Sequence, residues 1–319
     1  MQPAVTAVVS SYNHDRYVEE AVRSVLSQNL DRPYEILVID DGSTDGSRKI
    51  LERLAREDTR IRLVVQRNRG ISATFNLGLE LSDAQWVAYC GSDDRWHAGH
   101  LRALLEAAEA CPEAVACFGA ARVVDADGSP QVDARLFRSY ATHDGLLHRL
   151  LYDGNFLCFT AALLRRKRVL DAGGFDVQLG VLQDYDLWLK LLQEGLVTGT
   201  ADPTVDFRWH GANASGPASG LQKRLDHVRI LERALDEIPL LKRDASLRAR
   251  VHKRLASAHR RISRRIVDWP SRLHHLREAR RHGGSWWQLG GELLRRPAPG
   301  ELVGMGVDSI AEPRTLETR

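Results

Sequence analysis

The stretch AVTAVVSSYN, residues 4–13, is a continuous apolar run that ends in small polar residues. A strand with one wet face alternates polar and apolar side chains. This one does not, so it reads as a strand buried on both faces, as in a parallel sheet. The following DRYVEEAVRSVLSQ places Val18, Ala21, Val22, Val25 and Leu26 at helical spacing, an amphipathic helix. The plan then repeats. YEILVIDDGSTD is a second strand with a turn-rich end, and SRKILERLARED a second helix with Ile50, Leu51 and Leu54 on one face. RIRLVVQ, ISATFNLGLELS, AQWVAYC and HAGHLRALLEAAEAC continue as strand, helix, strand and helix. This alternation predicts right-handed βαβ units and an α/β fold with a mostly parallel central sheet flanked by helices. Ligands of such sheets bind beyond the carboxyl ends of the strands.

Beyond this point the alternation weakens. AVACFGAARVVDADG reads as a hairpin arm closed by Asp127-Gly128. GGFDVQLGVLQDYDLWLKLLQEG reads as a glycine-rich turn and a helix with Leu187, Leu191 and Leu192 inward. DPTVDFRWHGANAS reads as a strand with a polar end. The chain thus divides into an α/β domain over 1–220, a helical basic C-terminal extension over 221–296 and a loose tail over 297–319.

The net charge of +3 conceals an asymmetry: residues 242–296 carry 16 Lys/Arg against 4 Asp/Glu, so the rest of the chain is acidic. No apolar run approaches the roughly 20 residues that span a bilayer. The N-terminus lacks the basic segment of a signal peptide. Cys90, Cys111, Cys117 and Cys158 show no C-x-x-C spacing, which argues against a zinc site or a disulfide framework. A cytoplasmic location is the expectation.

Three acidic clusters fall at expected ligand positions: IDDGSTDGS with Asp40, Asp41 and Asp45, GSDD with Asp93 and Asp94, and QDYD with Asp184 and Asp186. SSYN adds Ser11 and Tyr12. Each cluster has a structural reading as turn or cap residues, Asp45 and Asp184 as helix caps above all. Their joint placement at strand ends favours a ligand site. No G-x-G-x-x-G, P-loop or G-x-S-x-G is present, so no glycine loop cradles a phosphate. A divalent cation, Mg²⁺ or Mn²⁺, held by carboxylates is the usual remaining device.

Five motifs, VVSSYNHDRYVEEAVRSVLSQ, EILVIDDGSTDGS, WVAYCGSDDRW, GGFD and QDYDLWLKLL, stand in an order and spacing that resemble family 2 glycosyltransferases of the GT-A fold, over about residues 4–215. The resemblance implies a metal-dependent, inverting transfer of a sugar from a nucleotide-diphosphate sugar to an acceptor hydroxyl, in cell-surface glycan biosynthesis. It implies that Ser11, Tyr12, Asp40 and Asp41 face the nucleoside. Asp93 would face the ribose, Asp94 the metal and Asp184 the acceptor as catalytic base. FRWHGANAS resembles the family's closing segment and would bring His210 to the metal. Two positions depart from the common pattern: Gly91 stands where many members have an acid, and Gln183 where many have Glu.

Two rivals share some of these features, a sugar nucleotidylyltransferase and a non-catalytic nucleotide-sugar-binding protein. SSYNHDRY makes a poor nucleotidylyltransferase loop, and the Asp93-Asp94 pair with Asp184 speaks against a mere binding protein. The acceptor class is open among glycans, lipid-linked glycans, proteins and small molecules. The basic extension lacks a nucleic-acid-binding motif, so no nucleic acid is expected. Its residues Val251, Leu255, Ile262 and Ile266 are interleaved with Arg and Lys and precede Trp286 and Trp287. That pattern predicts either peripheral contact with an anionic membrane at its inner face or a stripe packed on the α/β domain, its arginines solvated or covering the acidic body.

Overall fold

The computed structural model describes residues 2–131, 143–214, 216, 219–266 and 268–284. The predicted tail and the tryptophans at 286 and 287 lie outside them. The chain forms two compact units, Met1–Ala214 and Ser215–Arg319.

The first unit is built on one eight-stranded sheet. Its strands are β1 (Val5–Ser11), β2 (Tyr34–Asp40), β3 (Ile61–Val65), β4 (Trp86–Gly91), β5 (Arg95–Trp96), β6 (Ala114–Val124), β7 (Ala162–Arg165) and β8 (Leu196–Arg208), in the order β3-β2-β1-β4-β7-β6-β8-β5. Helices α1 (Val18–Leu26), α2 (Ser47–Glu57), α3 (Ile71–Leu81) and α4 (His100–Ala110) connect the parallel strands as the alternation predicts. Val5, Ala7, Val8 and Val9 of β1 are fully buried, as a strand covered on both faces requires. Strands β1 to β3 run outward to one edge, and β4 then inserts on the other side of β1. The order reverses there, so a crevice opens at the carboxyl ends of β1 and β4. Registers bring those ends level: Ser11 pairs with Asp40, and Ser10 with Gly91.

The rest of the sheet is mixed. Strand β7 is antiparallel to both β4 and β6, and β8 is parallel to β6. The predicted turn at Asp127-Gly128 forms, with Gly128 at φ 89°, and the chain begins to return along β6: the Gln131 amide donates to the Val123 carbonyl at 2.9 Å and Val124 bridges Pro130. The remainder of the predicted arm lies outside the described residues, among which the ladders of β6 are with β7 and β8. Helices α5 (His143–Asp153), α6 (Arg166–Asp171) and α7 (Gln183–Glu194) complete the unit. A ring cluster of Phe75, Tyr89, Phe159 and Phe175, with centroids 4.6–5.7 Å apart, locks β4 to the segments before α7. Each such pair contributes about 0.5–1.5 kcal/mol beyond its buried area. All four cysteines are unpaired.

The second unit holds α8 (Gly220–Glu237), α9 (Pro239–Arg243), α10 (Ala245–Ser263) and α11 (Trp269–Arg281). Asp244 and Asp268 cap α10 and α11, accepting hydrogen bonds from the Leu247 and Ser271 amides at 2.9 Å. Val251, Leu255, Ile262 and Ile266 are fully buried. The stripe is therefore interior to this unit, because α10 packs against both α8 and α11. Among the described residues no helix is long and apolar enough to cross a membrane.

Candidate active site

The site forms where β1, β2, β4 and β8 end. After β4 the chain turns tightly, with the Asp94 amide donating to the Gly91 carbonyl at 3.0 Å, while the Ser92 amide still reaches the Ser10 carbonyl at 3.2 Å. A Cβ at Gly91 would lie 2.8 Å from Asp93 Oδ1 and 2.9 Å from Asp94 Oδ2, so any side chain there requires the acidic pair to shift.

The two carboxylates face different partners. Asp93 Oδ2 accepts from His210 Nε2 at 3.1 Å and from Asn213 Nδ2 at 3.2 Å, and His14 Nε2 stands 3.9 Å away. His14 is held by Ser92 Oγ at 2.8 Å, and His210 stacks on Tyr17 with centroids 5.0 Å apart. Asp94 is buried and accepts from the Arg208 amide at 2.9 Å. Burial alone would raise the pKa of Asp93, but the His210 hydrogen bond and the His14 ring hold it below the ordinary range. Burial, and then the charge of Asp93, push Asp94 well above that range. The pocket therefore accommodates one negative charge readily and a second only with a compensating cation.

Ligand atoms of His14, Asp93 and His210 all lie within 4.8 Å of one another, a set of two imidazoles and one carboxylate that suits a divalent cation. Asp93 gathers with His14 and His210, while Asp94 Oδ1 accepts from the Arg208 amide at the end of β8. His14 was not anticipated from the sequence. It follows Asn13, whose φ of 55° reverses the chain after β1 and swings the next residue over the β4 end.

Arg208 fixes the segment that carries His210. Its Nε donates to the Asp93 carbonyl at 2.9 Å and its Nη2 to Glu20 at 2.6 Å, with the guanidinium 4.9 Å from the Tyr17 ring centre. Asp206, almost wholly buried, takes Arg122 Nε at 2.8 Å, Arg95 Nε at 3.0 Å and His97 at 2.9 Å. The end of β8 is rigidly tied by these two networks.

The nucleoside-side candidates split. Tyr12 is 45% exposed, an aromatic face open to solvent at the end of β1. Ser11 Oγ is buried and has no hydrogen-bond partner among the described residues. Asp40 closes its own turn, accepting from Ser43 Oγ at 2.5 Å and from the Ser43 amide at 3.2 Å. Asp41 receives Gln66 Nε2 and the Arg69 amide at 2.8 Å and the Gly70 amide at 3.0 Å. Both buried acids thus shape the rim, and Gly42 permits it: φ is 78° and a Cβ would sit 2.7 Å from the Asn68 amide. Asp45 accepts from the Ser47 amide at 2.9 Å and from the Asp15 amide at 3.0 Å just before α2, whose N-cap position is Gly46.

Asp184, half-buried at the start of α7, accepts from Asn155 Nδ2 at 2.7 Å. It reaches the same thiol that Asp94 does: the Cys158 pKa is raised well above normal by burial, then by Asp94, with a smaller contribution from Asp184. Asp186 instead pairs with Lys190 at 2.9 Å. Gln183 is buried, and its Oε1 has no hydrogen-bond partner among the described residues.

Known proteins share this arrangement of elements. The Staphylococcus aureus protein TarS superposes with a TM-score of 0.64 at 17% identity, over 88% of this chain and 81% of that one; it has been solved with UDP and with UDP-GlcNAc. A mannosyltransferase from Pyrobaculum calidifontis, solved with GDP-Man and Mn²⁺, gives 0.58 at 18% identity over 92% and 79% of the two chains. The fold is therefore of the expected GT-A type. In sequence, the Bacillus subtilis (strain 168) glycosyltransferase TuaG, assigned provisionally to teichuronic acid biosynthesis, is 30% identical over 65% of this chain and 79% of its own. A Nostoc glycosyltransferase of uncharacterised specificity is 29% identical, over 52% of each chain, and Escherichia coli chondroitin synthase is 24% identical over 75% of this chain but 34% of its own. The chain thus spans about half or less of the length of several curated relatives. The profile of Glycosyl transferase family 2 matches residues 6–171, half of the sequence, and with the TuaG match it shows that the chain belongs to that family.

Proposed function

We propose that the protein is a divalent-metal-dependent, inverting glycosyltransferase that takes a nucleotide-diphosphate sugar and acts in cell-surface glycan synthesis. The observation that carries this reading is the buried acidic pair flanked by two histidines at the carboxyl ends of β1 and β4. Such a pair is unfavourable unless a cation and its phosphate ligands complete it. His14, Asp93 and His210 would hold Mg²⁺ or Mn²⁺, with Asp94 supplying charge behind Asp93. When bound, the cation offsets the charge that builds on the diphosphate leaving group.

The protein's own groups do the rest. Tyr12 offers an exposed ring to the base, and the free Ser11 hydroxyl a hydrogen bond beneath it. Asp40 and Asp41 hold the rim that receives the nucleoside. Asp184 accepts the proton of the acceptor hydroxyl as that oxygen attacks the anomeric carbon from the face opposite the diphosphate. Asn155 donates to one Asp184 oxygen at 2.7 Å, which orients the carboxylate. General-base assistance of this kind contributes about 10²–10⁴-fold. TuaG, by its provisional assignment to teichuronic acid biosynthesis, and chondroitin synthase support a cell-surface glycan setting. The acceptor is a hydroxyl on a glycan, a lipid-linked glycan or a small molecule.

The test is donor hydrolysis by purified protein with UDP-, GDP- and dTDP-sugars, in Mn²⁺, Mg²⁺ or EDTA. Slow, metal-dependent release of one nucleoside diphosphate is expected. Hydrolysis that is equal in EDTA would refute the metal role, and release of pyrophosphate from a nucleoside triphosphate and a sugar phosphate would favour a nucleotidylyltransferase.

A further inference from the structure

The helical unit contains a second group of metal-binding side chains, which the proposed transfer does not use. Glu232 lies on α8. His252 and His259 lie seven residues apart on one face of α10. His275 and Glu278 lie on α11, and His282 directly follows it. Ligand atoms of Glu232, His259 and His282 all lie within 4.8 Å of one another. His259 and His282 stack nearly parallel, with centroids 5.8 Å apart and planes 7° apart, and only 2% and 8% of their surfaces are exposed.

The hydrogen bonds around these two rings set their chemistry. His259 Nδ1 is 2.9 Å from His275 Nδ1, and His282 Nδ1 is 2.8 Å from His252 Nδ1. Each contact needs one donor and one acceptor. If His259 and His282 donate, both of their Nε2 atoms carry lone pairs. His259 Nε2 is buried without a hydrogen-bond partner among the described residues, and it stands 3.6 Å from Glu232 Oε1. His282 Nε2 stands 4.0 Å from Glu278 Oε2. Both gaps are too long for a hydrogen bond. Two imidazole nitrogens facing carboxylates across such gaps leave an acceptor-lined space between three helices.

We propose that this space binds a transition-metal ion of the Zn²⁺ class, ligated by His259 Nε2, His282 Nε2 and the Glu232 carboxylate, with Glu278 or water in the fourth position. Two imidazoles with a carboxylate suit Zn²⁺ or Co²⁺, whereas at the first cluster the oxygens of a bound diphosphate, with water, would complete the oxygen-rich shell that Mg²⁺ and Mn²⁺ prefer. His252 and His275 act as the outer partners that metal-bound histidines ordinarily have, fixing tautomer and ring orientation. The ion would tie α8, α10 and α11 together, a structural site separate from the one at His14, Asp93 and His210.

The experiment uses the full chain carrying His14→Gln and Asp93→Asn, which disables the first cluster, after chelator treatment. Zn²⁺ is titrated by calorimetry and Co²⁺ by visible absorption. One equivalent should bind, Co²⁺ should show the intense bands of a tetrahedral centre, and Zn²⁺ should raise the melting temperature. Adding His259→Gln with His282→Gln should abolish binding. Glu232→Gln, at a carboxylate that is 46% exposed and so safe for folding, should weaken it about tenfold or more, and His252→Gln by about 10–100-fold. Absence of stoichiometric binding, weak octahedral-type Co²⁺ absorption, or affinity unchanged in both Glu232→Gln and His252→Gln would overturn the proposal. Those last two variants decide the matter even if the buried-histidine pair fails to fold.

Discussion

Replacing Asp94 by asparagine is expected to stabilise the metal-free protein while removing its activity. Asp93 Oδ1 and Asp94 Oδ2 can be at most about 6 Å apart, the sum of their distances to the Cβ position of Gly91. Two unit charges at that separation repel by about 3 kcal/mol at an effective dielectric near 20. Asp94 is 5% exposed, so solvent screens this little. The isosteric amide oxygen still accepts the Arg208 N–H but carries no charge. The sign follows from linkage. Because the folded pKa of Asp94 is raised, the unfolded chain releases this proton first, and stability falls as pH climbs above the ordinary carboxyl value. Asp94→Asn should therefore gain about 1–3 kcal/mol over wild type at pH 7.5 in EDTA, and the gap should close near pH 4. Mn²⁺ with UDP should narrow it as well, by binding wild type more tightly. Urea unfolding at both pH values reads the stability, and donor hydrolysis reads the function. A variant less stable than wild type at pH 7.5 in EDTA, with an unchanged m-value, would refute the electrostatic account of the pair.

Asp184→Asn should leave UDP-sugar binding nearly intact while kcat drops by about 10²-fold or more, measured by steady-state kinetics; near wild-type turnover would reduce Asp184 to a helix-start residue. His210→Gln and His14→Gln should each weaken Mn²⁺-dependent UDP binding in calorimetry while leaving metal-free affinity alone; an equal loss in EDTA would point to direct nucleotide contact instead. His100 is fully buried beside Trp96, and burial lowers its pKa to about 3. A lowered histidine contributes stability that is present above its ordinary value near 6.5 and lost as pH falls toward 3, so wild type should lose about 3 kcal/mol between pH 7 and pH 4 through this group. His100→Phe should remove that share of the loss in urea midpoints; an unchanged pH slope would show that His100 is protonated without cost.

The parallel half of the sheet was legible because its strands are unbroken apolar runs and their order follows from short helical crossovers. The remaining half was not, for two reasons. Strand β5 has only two residues, Arg95 and Trp96, too few to carry a period. The partners of β6 come from segments far along the chain, and its ladder with β8 has three register shifts that no local pattern records. The acidic candidates were legible as a group, since each follows a strand. Their individual orientations were not. Adjacent carboxylates look alike in sequence, and the hydrogen bond from the Asp94 amide to Gly91 decides which one meets His210. Asp40 and Asp41 look equally free, yet the Ser43 hydroxyl and the amides before α3 occupy them.

The helical unit shows where one periodicity serves two environments. Apolar residues at 251, 255, 262 and 266 with arginines between them fit a helix lying on a bilayer, and they fit equally a helix buried in a bundle with its arginines outward. Exposed Arg248, Arg250, Lys253 and Arg261 beside a fully buried stripe show the second case. The sequence does hold a signal that separates the two. His252 and His259 recur at the spacing of the apolar residues and on their side of α10, and His275 and His282 repeat that seven-residue interval in and just beyond α11. A face meant for acyl chains would not carry imidazoles, whose ring nitrogens would go unsatisfied in hydrocarbon. A face turned toward other helices can pair them, as His259 does with His275 and His252 with His282. Histidines placed on the apolar side of a basic helix therefore argue for an interior with polar work to do, which is the setting the proposed metal site requires.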